Sequence, residues 1–252
     1  MNIPKIIHQI YETKPGAQVS RRVLEWCASV QRSNAGFSYR FWNSGKAINS
    51  FVRENFPEFY DKYRALPFDV MRWDILRLMI LYVEGGVYID ADVEGYESIE
   101  PLIKGCACAF ALEPQPHAEN HSLRLPFLVG TYFIAAEPKH SFIMLLIEEL
   151  FEHAFIRYST HNPTQVMLST GPVRITEIYL QSRANFDVQL IDSREVSPLS
   201  AKDVPEYLKG KYFESAERAR MVHLYASSWA EPIENKEVLE YQEYLKRKKS
   251  GA

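Results

Sequence analysis

The chain has 252 residues, of which 46% are apolar and 24% charged, and its net charge is −3. That length supports one large core-bearing domain with short appendages, and the slight acidity argues against a nucleic-acid binder, which is usually basic. Three cysteines, Cys27, Cys106 and Cys108, lack paired metal-site spacing and read as reduced thiols of a cytoplasmic protein.

The opening "MNIPKIIHQIYETKPG" holds only a short apolar patch, broken by His8 and Gln9, so no secretory leader is expected. Residues 70–83 form the longest apolar stretch, but Arg72, Asp74 and Arg77 interrupt it. It therefore falls short of the ~20 apolar residues that cross a bilayer. With Met1 leading directly into a strand-like segment, no anchor is expected.

In chain order, "IPKIIHQIY" (3–11) predicts a short strand. Residues 20–33 predict a helix capped by Ser20, with Val23, Leu24, Cys27 and Val30 on one face. "FSYRFWN" (37–43) alternates as a strand does, and short helices follow through residue 66. A long helix over 68–84 ends at Gly85, a residue type that commonly caps helices. "GVYID" then predicts a buried strand. Residues 110–122, rich in Pro, His and Asn, read as a loop. A strand is expected at 128–136, a helix at 140–155, a turn at 169–172 with a helix after it, and a late strand at 221–229. Residues 231–252 read as a terminal helix with a basic tail, appended to one domain over 1–230. The β-α-β-α-β order implies an α/β fold with a single, largely parallel mixed sheet flanked by helices.

The 68–84 helix is apolar nearly all round and so is expected to be buried. It nevertheless carries Asp74 and Arg77, three apart on one face. They form either an internal ion pair or the wall of a polar pocket. In "GGVYIDADVEG" (85–95), an extended chain would point Tyr88, Asp90 and Asp92 to one side and Val87, Ile89 and Ala91 to the other. The aspartates then stand at the carboxyl end of a strand, where open α/β sheets bind ligands. Mg²⁺ or Mn²⁺ is the natural positive partner for such a pair. A solvated turn or a structural calcium site are the plainer readings.

Order and spacing together make a specific pattern: "IPKIIHQI", Trp42 after an aromatic strand, Asp74-x-x-Arg77, Gly85-Gly-x-Tyr-x-Asp90-x-Asp92, Thr170-Gly171-Pro172 and His223 ahead of Ser227-Ser228-Trp229. Over residues 1–230 it resembles the glycosyltransferases with an Asp-x-Asp sugar-binding region. That family includes yeast-type α-1,6-mannosyltransferases and bacterial capsular polysaccharide enzymes, and it is distantly similar to the clostridial glucosylating toxins.

The resemblance implies a GT-A-like nucleotide-sugar-binding fold. It also implies metal-dependent transfer of a hexose, with retention, from a UDP- or GDP-sugar to a saccharide or lipid-linked saccharide, in polysaccharide or glycan biosynthesis. Asp90, Asp92 and His223 would hold Mn²⁺ or Mg²⁺, with Ser227 an alternative to His223. Asp74 and Arg77 would bind the donor sugar and ribose, with Asp90, Asp92 and Arg77 as the catalytic set. Ile10 and Tyr11 would line the base site, Tyr11 standing where the family usually has Trp. Ser227 or Ser228 and Trp229 would contact the diphosphate, although Trp229 is also readable as a core anchor and His8 as a supporting core histidine. Gly130 and Thr131 depart from the Asn that the family often carries there.

No residue stands out as a nucleophile, so front-face attack by the acceptor is preferred. The basic tail suits peripheral contact with an anionic membrane at its inner face. Two other readings stay open. A nucleotidyltransferase would need a glycine-rich phosphate loop near the start, where residues 1–20 offer Gly16 alone. A non-catalytic nucleotide- or sugar-binding module would keep the fold without turnover.

Overall fold

The structure, a computed structural model, describes residues 3–13, 18–119, 125–155 and 162–226, without the side chains of 162–164. Among the described residues the strands are β1 (Ile6–Ile10), β2 (Ser38–Trp42), β3 (Gly86–Ile89), β4 (Val93–Gly95), β5 (Cys108–Leu112), β6 (Val129–Ala136), β7 (Gln189–Ile191) and β8 (Met221–His223). The helices of the first half are α1 (Arg21–Ser33), α2 (Gly45–Asn55), α3 (Tyr60–Ala65), α4 (Asp69–Glu84), α5 (Glu100–Ile103) and α6 (Gln115–Ala118). Those of the second half are α7 (Ser141–His153), α8 (Asn162–Ser169), α9 (Pro172–Ser182), α10 (Ser193–Val196), α11 (Val204–Leu208) and α12 (Glu214–Glu217).

Six strands make one sheet in the order β2-β1-β3-β6-β5-β7. The β1–β2, β1–β3 and β5–β7 pairs are parallel, and β6 runs antiparallel to both its neighbours. Strand alternation sends the two faces of this sheet into two cores. Tyr88, Phe110 and Ile134 join Leu78, Ile80 and Phe142 on one side, whereas Val87, Ile89 and Phe133 join Val30, Ile103 and Val196 on the other. All eight residues of β6 are buried, as befits a strand covered on both faces.

Strand β4 leaves the main sheet and pairs antiparallel with β8, placing Val93 opposite His223. This two-stranded ribbon, added to the single sheet expected, carries the end of the described chain back to the first strands.

Several local expectations are refined. Ser20 caps α1 by accepting from the Val23 amide, but the inward face is Val23, Trp26, Cys27 and Val30, while Leu24 is exposed. Leu24 lies about 100° round the helix from Val23, so spacing overrides its hydrophobicity. The segment read as a loop from residue 110 is instead strand to Leu112 followed by α6. The Ala- and Cys-rich sequence of β5 lacks the β-branched residues that signal strands. Strand β3 ends at Ile89, and Asp90–Asp92 turn out of it, with the Val93 amide donating to the Asp90 carbonyl.

Helix α4 ends at Gly85 with φ 64°. His8, fully buried, fixes that corner. Its Nδ1 accepts from the Trp42 indole at 3.3 Å, so Nε2 carries the proton donated to the Gly85 carbonyl at 3.0 Å. His8 is thus a core brace, and burial lowers its pKa. All three cysteines are buried and none is in a disulfide. No helix among the described residues is long and apolar enough to cross a membrane. The expected terminal helix over 231–252 lies outside the described residues.

Candidate active site

The apolar helix α4 docks against the sheet and directs Asp74 and Arg77 toward the carboxyl end of β3. Both are nearly fully buried. Arg77 donates to Asp74 at 2.8 Å through Nη2, and through Nη1 to the Thr131 carbonyl at 2.8 Å and Asp90 Oδ1 at 3.3 Å. The second oxygen of Asp74 accepts from Thr170 at 2.8 Å. The pair is therefore an internal ion pair, and at the same time Arg77 links it to the first aspartate of the Asp-x-Asp motif. Buried charges need such complete pairing.

The motif aspartates lie on the turn after β3, not in the extended strand expected, yet they converge. Each spends one carboxylate oxygen on being held. Asp90 Oδ1 accepts from the Tyr88 hydroxyl at 2.6 Å and from Arg77. Asp92 Oδ2 accepts from the Ala226 amide at 2.8 Å. The other two oxygens face His223, whose Nε2 lies 3.3 Å from Asp92 Oδ1 and 3.8 Å from Asp90 Oδ2. One ligand atom from each of the three residues thus falls within 4.8 Å of the others. His223 reaches the motif because β8 pairs with β4, and the Leu224 amide extends the ladder to the Asp92 carbonyl at 2.9 Å. Main-chain contacts hold the turn as well: the Asp90 amide donates to the Tyr132 carbonyl, and Gln9 donates to the Asp90 carbonyl, both at 2.9 Å.

The electrostatics follow the geometry. Burial pushes the Asp74 carboxyl up to about 6 against the opposing pull of Arg77 and Thr170. Burial also raises Asp90 despite Arg77, and the neighbouring Asp92 adds to the rise. For Asp92 the upward push of burial is outweighed by His223 and by the Ala226 amide, which hold it below the usual range. Burial would lower His223, but Asp92, then Asp90, outweigh it and raise its pKa. The partners demanded by two carboxylates so close together are thus Arg77 behind and His223 in front.

Ile10 is buried in the main core at the end of β1, and Tyr11 follows it, half-buried, with its amide donating to the Trp42 carbonyl at 3.1 Å. Ser227, Ser228 and Trp229 lie outside the described residues. The site also contains groups that sequence spacing did not single out: Gln9, Tyr132, whose ring stacks on His223 at 4.7 Å, and Tyr225, whose ring lies 4.0 Å from it. Tyr88 was legible as the residue two before Asp90 on the same side of the strand.

The donor set of two carboxylate oxygens and one imidazole nitrogen fits a divalent cation. Carboxylate oxygens suit hard divalent cations such as Mg²⁺ and Mn²⁺, and an imidazole is a common ligand beside them.

Comparison with known proteins agrees with this arrangement. Residues 20–107 match the family described as a glycosyltransferase sugar-binding region containing a DXD motif. The chain is 31% identical over 173 residues to inositol phosphoceramide mannosyltransferase 1 of Schizosaccharomyces pombe, covering 68% of this chain and 49% of that protein. It is 28% identical over 258 residues to an uncharacterised glycosyltransferase of Acanthamoeba polyphaga mimivirus, covering 96% of this chain and 90% of the viral protein. This chain spans about half the length of the fungal relatives it matches. Among solved structures, the glycosyltransferase domain of the YGT toxin superposes with a TM-score of 0.55 at 9% identity, covering 75% of this chain and 80% of that one. The PaToxG glycosyltransferase gives 0.51 at 16% identity, covering 95% and 86%. At these identities the likeness shows a shared GT-A fold.

Proposed function

Since residues 20–107 carry the Asp-x-Asp sugar-binding region of a glycosyltransferase family, we propose that the chain is a metal-dependent, retaining glycosyltransferase. It moves a hexose from a nucleotide-sugar donor to a saccharide or lipid-linked saccharide acceptor. One observation carries the reading: one carboxylate oxygen each of Asp90 and Asp92 and a ring nitrogen of His223 converge within 4.8 Å at the end of β3. The fungal relatives' names couple mannose transfer to an inositol phosphoceramide. A mannosyl donor and a lipid-borne acceptor are accordingly the first pair to try.

In this reading Asp90, Asp92 and His223 hold Mn²⁺ or Mg²⁺. The bound cation supplies Lewis-acid neutralisation of the charge developing on the leaving nucleoside diphosphate. Tyr88 and Arg77 fix the Asp90 carboxylate before the donor arrives, so charge development meets groups already oriented. Arg77 is held in turn by Asp74, Thr131 and the Trp73 carbonyl. Asp74, anchored by Thr170, sets the depth at which the donor sugar rests. Ile10 and Tyr11 form the base end of the site, and the roles assigned to Ser227 and Trp229 are contacts to the diphosphate. Retention proceeds by front-face attack of the acceptor.

Incubation with a panel of UDP- and GDP-sugars, Mn²⁺, and saccharide and inositol phosphoceramide acceptors, read by mass spectrometry, tests this. A product heavier by one hexose is expected from wild type and none from Asp92→Asn. Absence of both transfer and donor hydrolysis across the panel would overturn the proposal.

A further inference from the structure

Two non-glycine residues among those described have positive φ, Lys139 at 59° and Tyr225 at 44°. Lys139 sits in the turn before α7. Tyr225 sits between the two amides that grip Asp92: Leu224 donates to its carbonyl at 2.9 Å and Ala226 to its carboxylate at 2.8 Å. A left-handed residue between them turns the chain back so that both amides reach one aspartate. A tyrosine adopts this conformation only when its surroundings impose it, and such strain gathers at functional sites.

Those surroundings are visible. The Tyr225 hydroxyl donates to Glu113 Oε2 at 3.1 Å, so its second contact, 3.0 Å to the Ser197 hydroxyl, has serine as the donor. Glu113 is buried and is itself held by His117 Nδ1 at 2.9 Å. His117 Nε2 accepts the Ala201 amide at 3.0 Å, which leaves the proton on Nδ1 to donate to Glu113. The Tyr225 ring packs on His223 at 4.0 Å and meets His117 edge-on at 5.0 Å. Residue 130 is glycine where a Cβ would come within 3.0 Å of Glu113 Oε1 and closer still to the Tyr132 ring. The backbone there leaves room for this cluster.

The geometry points to Tyr225 as a positioning residue for the cation site, anchored by Glu113, His117 and Ser197. Held at positive φ, it aims the Ala226 amide at Asp92 Oδ2, leaving Oδ1 for the cation, and its ring fixes the tilt of His223. Such supporting groups affect metal affinity by about 10–100-fold. This inference rests on the metal reading above, and its test separates the two.

The free aqueous Mn²⁺ signal in electron paramagnetic resonance, titrated with protein without nucleotide, gives the dissociation constant directly. Wild type should bind, and Asp92→Asn should not. Tyr225→Ala should weaken binding at least ~10-fold. Tyr225→Phe, which keeps the ring and loses the hydroxyl, should fall between them. Melting temperature measured in EDTA identifies any variant that fails to fold, and Tyr225→Phe is the conservative variant that then decides. If Asp92→Asn loses Mn²⁺ while both Tyr225 variants bind it within twofold of wild type, Tyr225 is merely packing and the inference falls. If wild type takes up no Mn²⁺, or Asp92→Asn binds as well as wild type, the metal reading fails and this inference with it.

Discussion

Replacing Asp74 by Asn asks whether α4 spends stability on the site. Asparagine preserves the shape: its carbonyl oxygen can accept from Arg77, and its amide can donate to the Thr170 oxygen. Arg77 also keeps Asp90 as a counter-charge at 3.3 Å. What changes is charge. Burial raises the Asp74 carboxyl from 3.8 to about 6, so the folded protein binds this proton more tightly than the unfolded chain does. Stability from this group is therefore complete below about pH 4 and is lost as pH rises through 6. At ~1.4 kcal/mol for each pH unit between the two values, the loss is about 3 kcal/mol.

Asp74→Asn should then match wild type at pH 4 and exceed it by ~1–3 kcal/mol at pH 7. Urea unfolding at four pH values between 4 and 7 measures the difference. Transfer should fall by ~100-fold or more, because a displacement of about 1 Å at the sugar carries that penalty, and adding Arg77→Met should not restore it. The reasoning is refuted if Asp74→Asn loses ~3–5 kcal/mol at pH 7, the cost of breaking a purely structural buried pair, and the double variant recovers both stability and rate.

Three further outcomes follow from the same geometry. Tyr88→Phe removes the hydroxyl that holds Asp90 Oδ1 at 2.6 Å, and should raise the Mn²⁺ concentration for half-maximal activity ~10–100-fold with the melting temperature little changed. Tyr11→Ala should weaken nucleotide binding by ~1–3 kcal/mol if the base stacks there; an unchanged dissociation constant in calorimetry would move the base elsewhere. Gly85→Ala puts a Cβ 2.6 Å from the Pro138 ring at φ 64°, and should lower stability by at least ~1 kcal/mol without altering metal affinity in the folded fraction.

Much of the fold was legible because the local signals agreed with one another. Ser20 and Gly85 bound their helices where capping chemistry predicts, and the all-round apolar α4 lies in the main core. The strand of β5 was not legible. Its Cys-Ala-Phe-Ala-Leu sequence carries no β-branched residue to signal a strand, and its strand state comes from pairing with β6 and β7. At the site, Asp90 and Asp92 announced themselves by spacing, whereas Tyr88 was placed only on their side of the strand and given no role. The roles of Tyr225 and Glu113 did not, because a strained φ and a contact across 112 residues leave no trace in local sequence. Asp74 and Arg77 left two readings open in the sequence, and the structure shows a buried ion pair that also touches Asp90.

The central claim is that Asp90, Asp92 and His223 bind a nucleoside diphosphate through a divalent cation. Its most direct measurement is the melting temperature with saturating UDP or GDP, in Mn²⁺ and in EDTA, for wild type and Asp92→Asn. A ligand at 100 times its dissociation constant stabilises the native state by ~2.7 kcal/mol, equivalent to ~5–10 °C for a domain of this size. The account predicts that rise for one of the two nucleotides, only in wild type and only with Mn²⁺. An equal rise in EDTA, or an undiminished one in Asp92→Asn, would contradict it.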